Sequence, residues 1–281
     1  MENIGFIGMG NMAKALAGGF IKSGKMKGEN VFAYAPHQDK LKENAKNIGF
    51  TPVASLQELV ESADTIIMAC KPFQIDDVLQ KLVNAYDRQG NGAPVVPETP
   101  SLLDGKALIS IAAGWDFDKY AEKLSDKVRI QFVMPNTPAM VGAGVMLFED
   151  KNSLKKEERV EVKTLFAALG MVADMPTNLM GIGGAVTGCG PAFVDMMIEA
   201  YADAAVKYGL PRGMAYPLIS QMILGSARLQ LVSGLHPGAL KDQVTSPAGT
   251  TIRGVAALEK EGFRNACIAS IDAIMDMKKG Q

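Results

Sequence analysis

The chain has 281 residues, which is enough for two ordinary domains with well-buried cores. Apolar residues make up 48% and charged residues 21%, an ordinary globular balance. A net charge of −1 provides no basic surface for nucleic acid, and three scattered cysteines with two histidines argue against a disulfide framework or a metal site. No apolar run approaches the roughly 20 residues of a membrane span. We therefore expect a cytoplasmic protein with neither nucleic acid nor membrane as a partner.

Short apolar runs alternate with helical patterns through the first part of the chain. Strands are predicted at 3–7, 31–35, 65–69, 107–112, 128–133, 144–148 and 171–174. Helices are predicted at 12–23, 38–47, 56–62, 73–84, 116–124 and 156–169. This alternation predicts βαβ units, and therefore an α/β fold of Rossmann type with a parallel sheet. A segment rich in Gly and Pro, 84–106, interrupts the pattern and is interpreted as an inserted surface loop.

The pattern changes from about residue 179 onward, where no strand candidate remains. Apolar-rich segments predict helices at 191–208, 212–233, 237–244 and 250–278. A glycine-rich segment at 187–192 leads into the first of them and would place Pro191 in its first turn, with a simple helix-start loop as the alternative. We place a domain boundary near Pro176, which gives a dinucleotide-binding domain at 1–176 and an all-α domain at 177–281. The apolar content is high for so few helices, so we expect a subunit interface there.

The segment Gly8-Met9-Gly10-Asn11-Met12-Ala13 follows the first strand and opens the first helix. Gly8 would allow the tight turn, Gly10 would let the backbone approach a pyrophosphate, and Ala13 is small enough for the helix to pack on the strand. Helix N–H groups could then hold the anion. A motif this short also occurs as a simple tight turn, but its place in a β-α-β unit favours a nucleotide site.

The end of the second strand bears on the choice between NAD and NADP. NAD sites usually carry an acidic residue there, whereas this strand continues into Pro36 and His37 with no acid before Asp39. This favours NADP, with His37 and Lys40 near the 2′-phosphate. The alternative is that His37 is an exposed turn residue, because no arginine accompanies it.

Three further strand ends could face the cofactor, because ligands bind at the carboxyl ends of strands in open α/β sheets. We expect Lys71 to position the cofactor, and Gly114 and Asn136 to approach the nicotinamide. The alternatives are a solvated lysine and ordinary turn residues.

Four hydroxyl side chains surround a Pro-Ala-Gly turn that leads into a helix, those of Thr245, Ser246, Thr250 and Thr251. Hydroxyl groups together with helix-start N–H groups can hold a carboxylate. Composition alone favours a helix cap and loop at this position.

Taken together, these segments resemble the Δ1-pyrroline-5-carboxylate reductase family nearly from end to end. The resemblance rests on 5–12, 71–72, 110–114, 134–138, 188–192 and 236–242, and most specifically on Ser-Pro-Ala-Gly-Thr-Thr-Ile at 246–252. It implies NAD(P)H-dependent hydride transfer to C5 of a cyclic imine, forming L-proline. The chain departs from the family at Ala248, where glycine is usual, and at 176–178, where the family often has an acidic residue near the substrate.

The resemblance also implies the site residues and the assembly. Cofactor contacts, with NADP preferred and NAD as the alternative, are implied for Ile7, Gly8, Gly10, Asn11, Met12, Pro36, His37, Ala69, Lys71, Pro72, Ala113, Gly114 and Asn136. Substrate contacts are implied for Val244, Ser246, Gly249, Thr250 and Thr251. The catalytic contact is the Thr251 hydroxyl, which meets the ring nitrogen. The helical domain becomes a dimerisation domain, and homodimers that can assemble into a decamer are implied.

Three other functions are alternatives to this reductase. The glycine motif alone would also suit a hydroxyacid dehydrogenase, but that class needs a catalytic lysine midway along the first long helix of the second domain, and Lys207 lies near that helix's end. A non-catalytic NADP-binding protein is the alternative from another class. A reductase of a six-membered cyclic imine stays open, because the sequence does not place the side chains that set ring size.

Overall fold

The computed structural model describes residues 1–86, 95–97 and 99–279. The chain divides into two compact units, Met1–Gly188 and Cys189–Gln281. The domain boundary near Pro176 stays a prediction. Of the predicted surface loop at 84–106, residues 87–94 and 98 lie outside the described residues. The last part of that segment is not at the surface, because Ser101 and Leu103 are buried.

One sheet of eight described strands forms the centre of the first unit. The strands are β1 (Ile4–Ile7), β2 (Val31–Tyr34), β3 (Thr51–Pro52), β4 (Thr65–Met68), β5 (Ala107–Ser110), β6 (Arg129–Met134), β7 (Gly144–Asn152) and β8 (Gly170–Met175). Their order is β3-β2-β1-β4-β5-β6-β7-β8, so the chain moves outward from β1 in one direction and returns to β4 on its other side. Open α/β sheets bind ligands at such a reversal, beyond the carboxyl ends of the strands.

Helices cover both faces of this sheet. They are α1 (Asn11–Lys22), α2 (Gln38–Ile48), α3 (Leu56–Ser62), α4 (Ile75–Tyr86), α5 (Phe117–Ala121), α6 (Lys156–Phe166) and α7 (Met180–Gly184). On one face Phe20 of α1 and Phe166 of α6 meet edge to face, with ring centroids 5.3 Å apart. On the other face Leu59 of α3 and Leu79 of α4 are buried against the strands. This two-sided burial explains why the strands read as continuous apolar runs.

Two features of the sheet differ from the prediction. β7 runs antiparallel to β6, whereas the other neighbouring pairs are parallel. The link between β6 and β7 contains only a short 3-10 turn, Thr137–Val141, and is too short for the crossover that a parallel neighbour needs. The edge strand β3 was not predicted, because it has two residues and one of them is proline.

The second unit consists of helices in the part that the structure describes, as the loss of strand patterns predicted. They are α8 (Gly190–Lys207), α9 (Arg212–Ser233), α10 (Pro237–Val244), α11 (Thr250–Lys260) and α12 (Phe263–Lys279). The single helix predicted at 250–278 is wrong. The chain breaks between α11 and α12 at Gly262, whose φ of +76° a right-handed helix cannot contain. The fold class, a Rossmann-type α/β unit followed by helices, is confirmed.

The glycine-rich segment at 187–192 is not a loop. Residues Ala185–Cys189 form a π turn that follows α7 directly, and α8 begins at the next residue. Pro191 occupies the first turn of α8, as predicted, because that position needs no intrahelical N–H donor.

The helical segment Thr177–Lys207 is long and apolar enough to cross a membrane, judged by length and composition alone. This qualifies the expectation that no segment could span one. Only 11% of its most apolar window is buried within the chain, at a mean hydropathy of 1.2. Exposed apolar surface of this kind is typical of an interaction site.

Candidate active site

The turn between β1 and α1 requires glycine at Gly8 for two reasons. Its φ is +96°, which side chains rarely tolerate. A Cβ at this position would lie 2.8 Å from the backbone nitrogen of Cys70 and 2.9 Å from the carbonyl carbon of Ala69. The Gly8 N–H donates to the carbonyl oxygen of Tyr34 across 2.8 Å. Gly8 therefore joins the ends of three neighbouring strands, with Ile7 buried just before it.

The N-terminus of α1 is suited to hold an anion. Gly10 is its N-cap and supplies no side-chain hydrogen bond to the helix N–H groups. A Cβ on Gly10 would meet no atom within 4 Å, so space is open where a phosphate would approach. Asn11 is exposed and Met12 half-buried, whereas Ala13 is buried against the sheet. Unsatisfied N–H groups and the helix dipole attract a pyrophosphate at such an end.

The residues after β2 leave two basic groups at the rim of this site. Pro36, His37 and Lys40 are exposed, and the side chains of His37 and Lys40 have no hydrogen bond or ion pair within the described residues. Gln38 stabilises the turn, since its side-chain amide donates to the carbonyl oxygen of Ala35 across 2.9 Å. The side chains of His37 and Lys40 can therefore turn toward the 2′-phosphate of NADP without breaking a hydrogen bond or ion pair of the fold.

The end of β4 lies directly beside Gly8. The N–H of Ala69 donates to the carbonyl oxygen of Ile7 across 2.9 Å, and Lys71 and Pro72 follow at the exposed surface. Cys70 between them is half-buried, and this burial raises the pKa of its thiol to about 11. At neutral pH the thiol is therefore protonated and a poor nucleophile.

The ends of β5 and β6 place two different kinds of residue at the same edge. Ala113 and Gly114 are exposed, and Gly114 has φ of +78° with open space around its α carbon. Asn136 is only 6% exposed. Its side-chain amide donates to the carbonyl oxygen of Thr187 across 2.9 Å and accepts the N–H of Val145 across 2.8 Å. Gly114 thus offers bare backbone, whereas the Asn136 amide is bonded within the fold.

In the second unit, the residues expected to hold a substrate form a compact turn between α10 and α11. Val244 ends α10 with an exposed side chain, and Gly249 is the N-cap of α11. The Gly249 N–H donates to the carbonyl oxygen of Ser246 across 3.1 Å. A Cβ on Gly249 would lie 2.4 Å from the Ser246 hydroxyl oxygen, so a side chain here would displace that hydroxyl.

The hydroxyl groups at the start of α11 are available to a ligand. Thr250 and Thr251 are its first two residues and are exposed. Their hydroxyl groups make no hydrogen bond within the part of the chain that the structure describes, whereas the Thr245 hydroxyl donates back to the carbonyl oxygen of Asp242 across 3.1 Å. Thr245 therefore caps α10, whereas the hydroxyl groups of Thr250 and Thr251 remain available to bind a ligand.

The sequence did not single out one buried carboxyl group, that of Glu149. It is fully shielded from solvent and accepts the Thr177 hydroxyl across 2.7 Å and the N–H of Phe117 across 2.9 Å. Burial raises the pKa of Glu149 above its ordinary value, against the effect of these two hydrogen bonds. The predicted strand ended at residue 148, so Glu149 was left outside the apolar run that buries it.

Among the described residues, no group of three or more His, Cys, Asp or Glu side chains is arranged to hold a metal ion.

Comparisons with known proteins cover both units. Residues 177–280 match a family model described as pyrroline-5-carboxylate reductase dimerisation, and residues 3–96 match one described as NADP oxidoreductase, coenzyme F420-dependent. Pyrroline-5-carboxylate reductase of Treponema pallidum is 39% identical over 97% of this chain and 98% of that protein. The Escherichia coli protein of the same name is 38% identical over 98% of this chain and 96% of its own length.

A solved structure matches the fold equally broadly. The crystal structure of Plasmodium falciparum pyrroline carboxylate reductase with NADP bound superimposes with a TM-score of 0.84 and 32% identity. The match covers 100% of this chain and 98% of that one. Both the dinucleotide unit and the helical unit therefore have counterparts in a single relative.

Proposed function

This chain belongs to the pyrroline-5-carboxylate reductase family, and we propose on that premise that it catalyses the NADPH-dependent reduction of 1-pyrroline-5-carboxylate to L-proline. Similarity through both units carries this proposal, since a relative of that name is 39% identical over 97% of the chain. Similarity confined to the sheet unit would have left the substrate open, because many oxidoreductases share that fold. The chain is accordingly an oxidoreductase.

The first unit supplies the proposed cofactor site. Gly8 makes the turn, and Gly10 with the uncapped N-terminus of α1 would hold the pyrophosphate. A bound nicotinamide cofactor supplies the hydride. The absence of an acidic residue between β2 and Asp39, together with exposed His37 and Lys40, favours NADP over NAD. The exposed backbone at Gly114 leaves room for the nicotinamide end.

The second unit supplies the proposed substrate site. The turn at 246–249 and the N-terminus of α11 present N–H groups and hydroxyls to a carboxylate. Thr251 would hydrogen-bond the ring nitrogen, since its hydroxyl has no partner within the described residues. An iminium carbon already accepts hydride readily, so the chain needs to position the ring more than to supply a strong base.

We assign the protein to the cytoplasm as a homodimer, which could assemble further into a decamer. The second unit leaves many large apolar side chains exposed along α9, including Leu218, Leu224, Leu229, Leu231 and Val232. Residues 177–280 match a dimerisation model. A second copy of the chain therefore accounts for the exposed apolar surface of 177–207 better than a lipid bilayer does.

The test follows the loss of NADPH absorbance with pyrroline-5-carboxylate, then with NADH, and then with the six-membered analogue. Turnover that prefers NADPH and the five-membered ring is the expected result. Preference for the six-membered ring would reassign the substrate, and preference for NADH would overturn the cofactor assignment. NADPH binding without turnover would leave a dinucleotide-binding protein of another function.

A further inference from the structure

Asn136 joins two separate segments of the first unit through its side chain. One end of its amide donates to the carbonyl oxygen of Thr187, at 2.9 Å, and the other accepts the N–H of Val145, at 2.8 Å. The orientation of the amide is unambiguous, because one partner is an acceptor and the other a donor. The side chain is 6% exposed, so water cannot easily replace either bond. Asn136 thereby fixes the spacing between these two backbones.

The backbone that Asn136 holds is the π turn at 185–189. The segment before this turn packs directly on the sheet at two glycines. A Cβ on Gly184 would lie 2.2 Å from the sulfur of Met134 in β6, and one on Gly183 would lie 2.8 Å from Leu147 in β7. π turns are rare and occur frequently at functional sites. The turn is therefore held from both sides, by close glycine packing and by the Asn136 amide.

Asn136 lies at the edge of the sheet where the cofactor is proposed to bind. Asn136 follows the carboxyl end of β6, whose parallel neighbour β5 leads to Gly114. Gly114 and Gly188 are both exposed, and neither would bring a Cβ within 4 Å of another atom. Side-chain-free backbone with open space beside it is what the close approach of a ligand requires.

We propose that Asn136 is a positioning residue for the reduction, which it serves by fixing the π turn at 185–189 beside the nicotinamide end of the site. This inference rests on the proposed function. The Asn136 side chain acts through the Thr187 backbone, so its loss should disturb turnover more than cofactor affinity. A residue that touched the cofactor directly would show the opposite pattern.

Glu149 provides a matched comparison. It holds the segment that precedes the π turn, since it accepts the Thr177 hydroxyl across 2.7 Å, and it is fully buried. It also accepts the N–H of Phe117 across 2.9 Å, but among the described residues it makes no hydrogen bond to the π turn at 185–189. If the hydrogen bonds of Asn136 and Glu149 served only stability, variants at the two positions would behave alike.

The experiment compares full-length Asn136→Ala, Asn136→Asp and Glu149→Gln in steady-state kinetics, thermal melting and backbone hydrogen exchange. Asn136→Asp keeps the acceptor for Val145 and loses the donor to Thr187, and it serves if Asn136→Ala fails to fold. We expect both Asn136 variants to lower kcat roughly 10-fold or more, with the KM for NADPH within about 2-fold. We expect Glu149→Gln to keep kcat within about 2-fold, since glutamine can satisfy both partners. Exchange at 185–189 should rise in the Asn136 variants alone.

Three outcomes would overturn the proposal: wild-type kcat in Asn136→Asp, a loss of kcat no greater than that of Glu149→Gln at equal melting temperature, or a rise in the KM for NADPH as the main change. Failure of the proposed function would look different. The unsubstituted enzyme would then not reduce pyrroline-5-carboxylate, whereas the exchange measurement would still decide whether Asn136 fixes the turn.

Discussion

Gly249 donates its backbone N–H to the carbonyl oxygen of Ser246 across 3.1 Å, which closes a four-residue turn around Pro247 and Ala248. The proline ring holds φ of Pro247 at about −65°. Ala248 has φ of +59°, and it is the only non-glycine residue with positive φ in the described part of the chain. A proline followed by a residue at positive φ is the pattern of a type II β-turn, whose third position favours glycine. The proposed carboxylate loop therefore contains a strained residue, at a cost of roughly 1 kcal/mol.

Replacing Ala248 with valine should raise the KM for pyrroline-5-carboxylate roughly 10-fold or more, because a β-branched residue is a severe outlier at positive φ and would open the turn. Ala248→Gly is the matched control, since glycine suits this position, and its KM should stay within about 3-fold of the original. The KM for NADPH should not change in either variant. Steady-state kinetics measure all of these values, and an unchanged substrate KM in Ala248→Val would remove the turn from substrate binding.

Replacing Thr251 with alanine should lower kcat/KM roughly 10-fold or more, because a hydrogen bond to a charged group contributes roughly 1.5–3 kcal/mol. Thr251→Ser retains the hydroxyl and should keep most of the activity. Neither change should shift the melting temperature much, since the Thr251 hydroxyl has no partner within the described residues. Initial rates at varied substrate concentration give the comparison. Normal turnover in Thr251→Ala would exclude the hydroxyl from the reaction.

The fold was predictable where one local pattern decides the outcome. Apolar runs of four to six residues marked the strands that both layers of helices bury, and loss of that pattern marked the helical unit. The antiparallel direction of β7 was not predictable in this way, because a buried strand has the same apolar pattern whether it runs parallel or antiparallel to its neighbour. Gly262 was overlooked because a single glycine inside a helical pattern is often tolerated, and only its φ of +76° shows the break.

In the candidate site too, the sequence identified the residues marked by a local pattern and missed those that depend on distant contacts. Gly8 and Gly10 were found because a glycine after a strand and before a helix has one main structural use. The bond between Asn136 and Thr187 joins residues far apart in the sequence, and no local pattern marks such a contact. Glu149 was hidden for a related reason, since its burial depends on Thr177 and Phe117 from two other elements.

Gly8 and Gly10 should respond differently to alanine. Gly8→Ala should lower the free energy of unfolding by about 2 kcal/mol or more, because its Cβ would lie 2.8 Å from the Cys70 nitrogen at a φ of +96°. Gly10→Ala should cost less than about 1 kcal/mol, since its Cβ meets open space. It should nevertheless weaken NADPH binding roughly 10-fold, because the methyl group enters the path of the pyrophosphate.

Denaturant unfolding and NADPH fluorescence titration test this pair. Each variant serves as the control for the other, because one perturbs packing and the other perturbs ligand approach. Unaltered NADPH affinity in Gly10→Ala would move the pyrophosphate away from the N-terminus of α1.

A charge placed on the exposed apolar surface of α9 should dissociate the proposed dimer. Leu231 and Val232 are 74% and 79% exposed within the chain. Glutamate at either position would be desolvated by a partner subunit, which costs several kcal/mol per buried charge. Size exclusion with light scattering should then report the mass of one chain. Asn47→Glu, on exposed α2 of the first unit, adds the same charge as a control and should leave the mass unchanged. A dimer that survives both α9 substitutions would place the interface elsewhere.

Glu149 should make stability depend on pH. Burial raises the pKa of its carboxyl in the folded state, and nearby Asp116 and Asp118 add to that rise. The folded state therefore favours the protonated form, so the contribution of Glu149 to stability is complete below the unfolded pKa of about 4.3 and is lost as pH rises through the folded pKa. Glu149→Gln does not titrate. Its free energy of unfolding should rise relative to the original enzyme as pH increases above about 4.3.

Denaturant unfolding of both proteins at a series of pH values measures this difference. The matched control is Glu43→Gln, which makes the same chemical change at an exposed position of α2 and is measured over the same pH series. A difference that stays constant with pH would mean that the fold compensates the buried Glu149 carboxylate fully through Thr177 and the N–H of Phe117. A rise would show that these two hydrogen bonds recover only part of the desolvation cost.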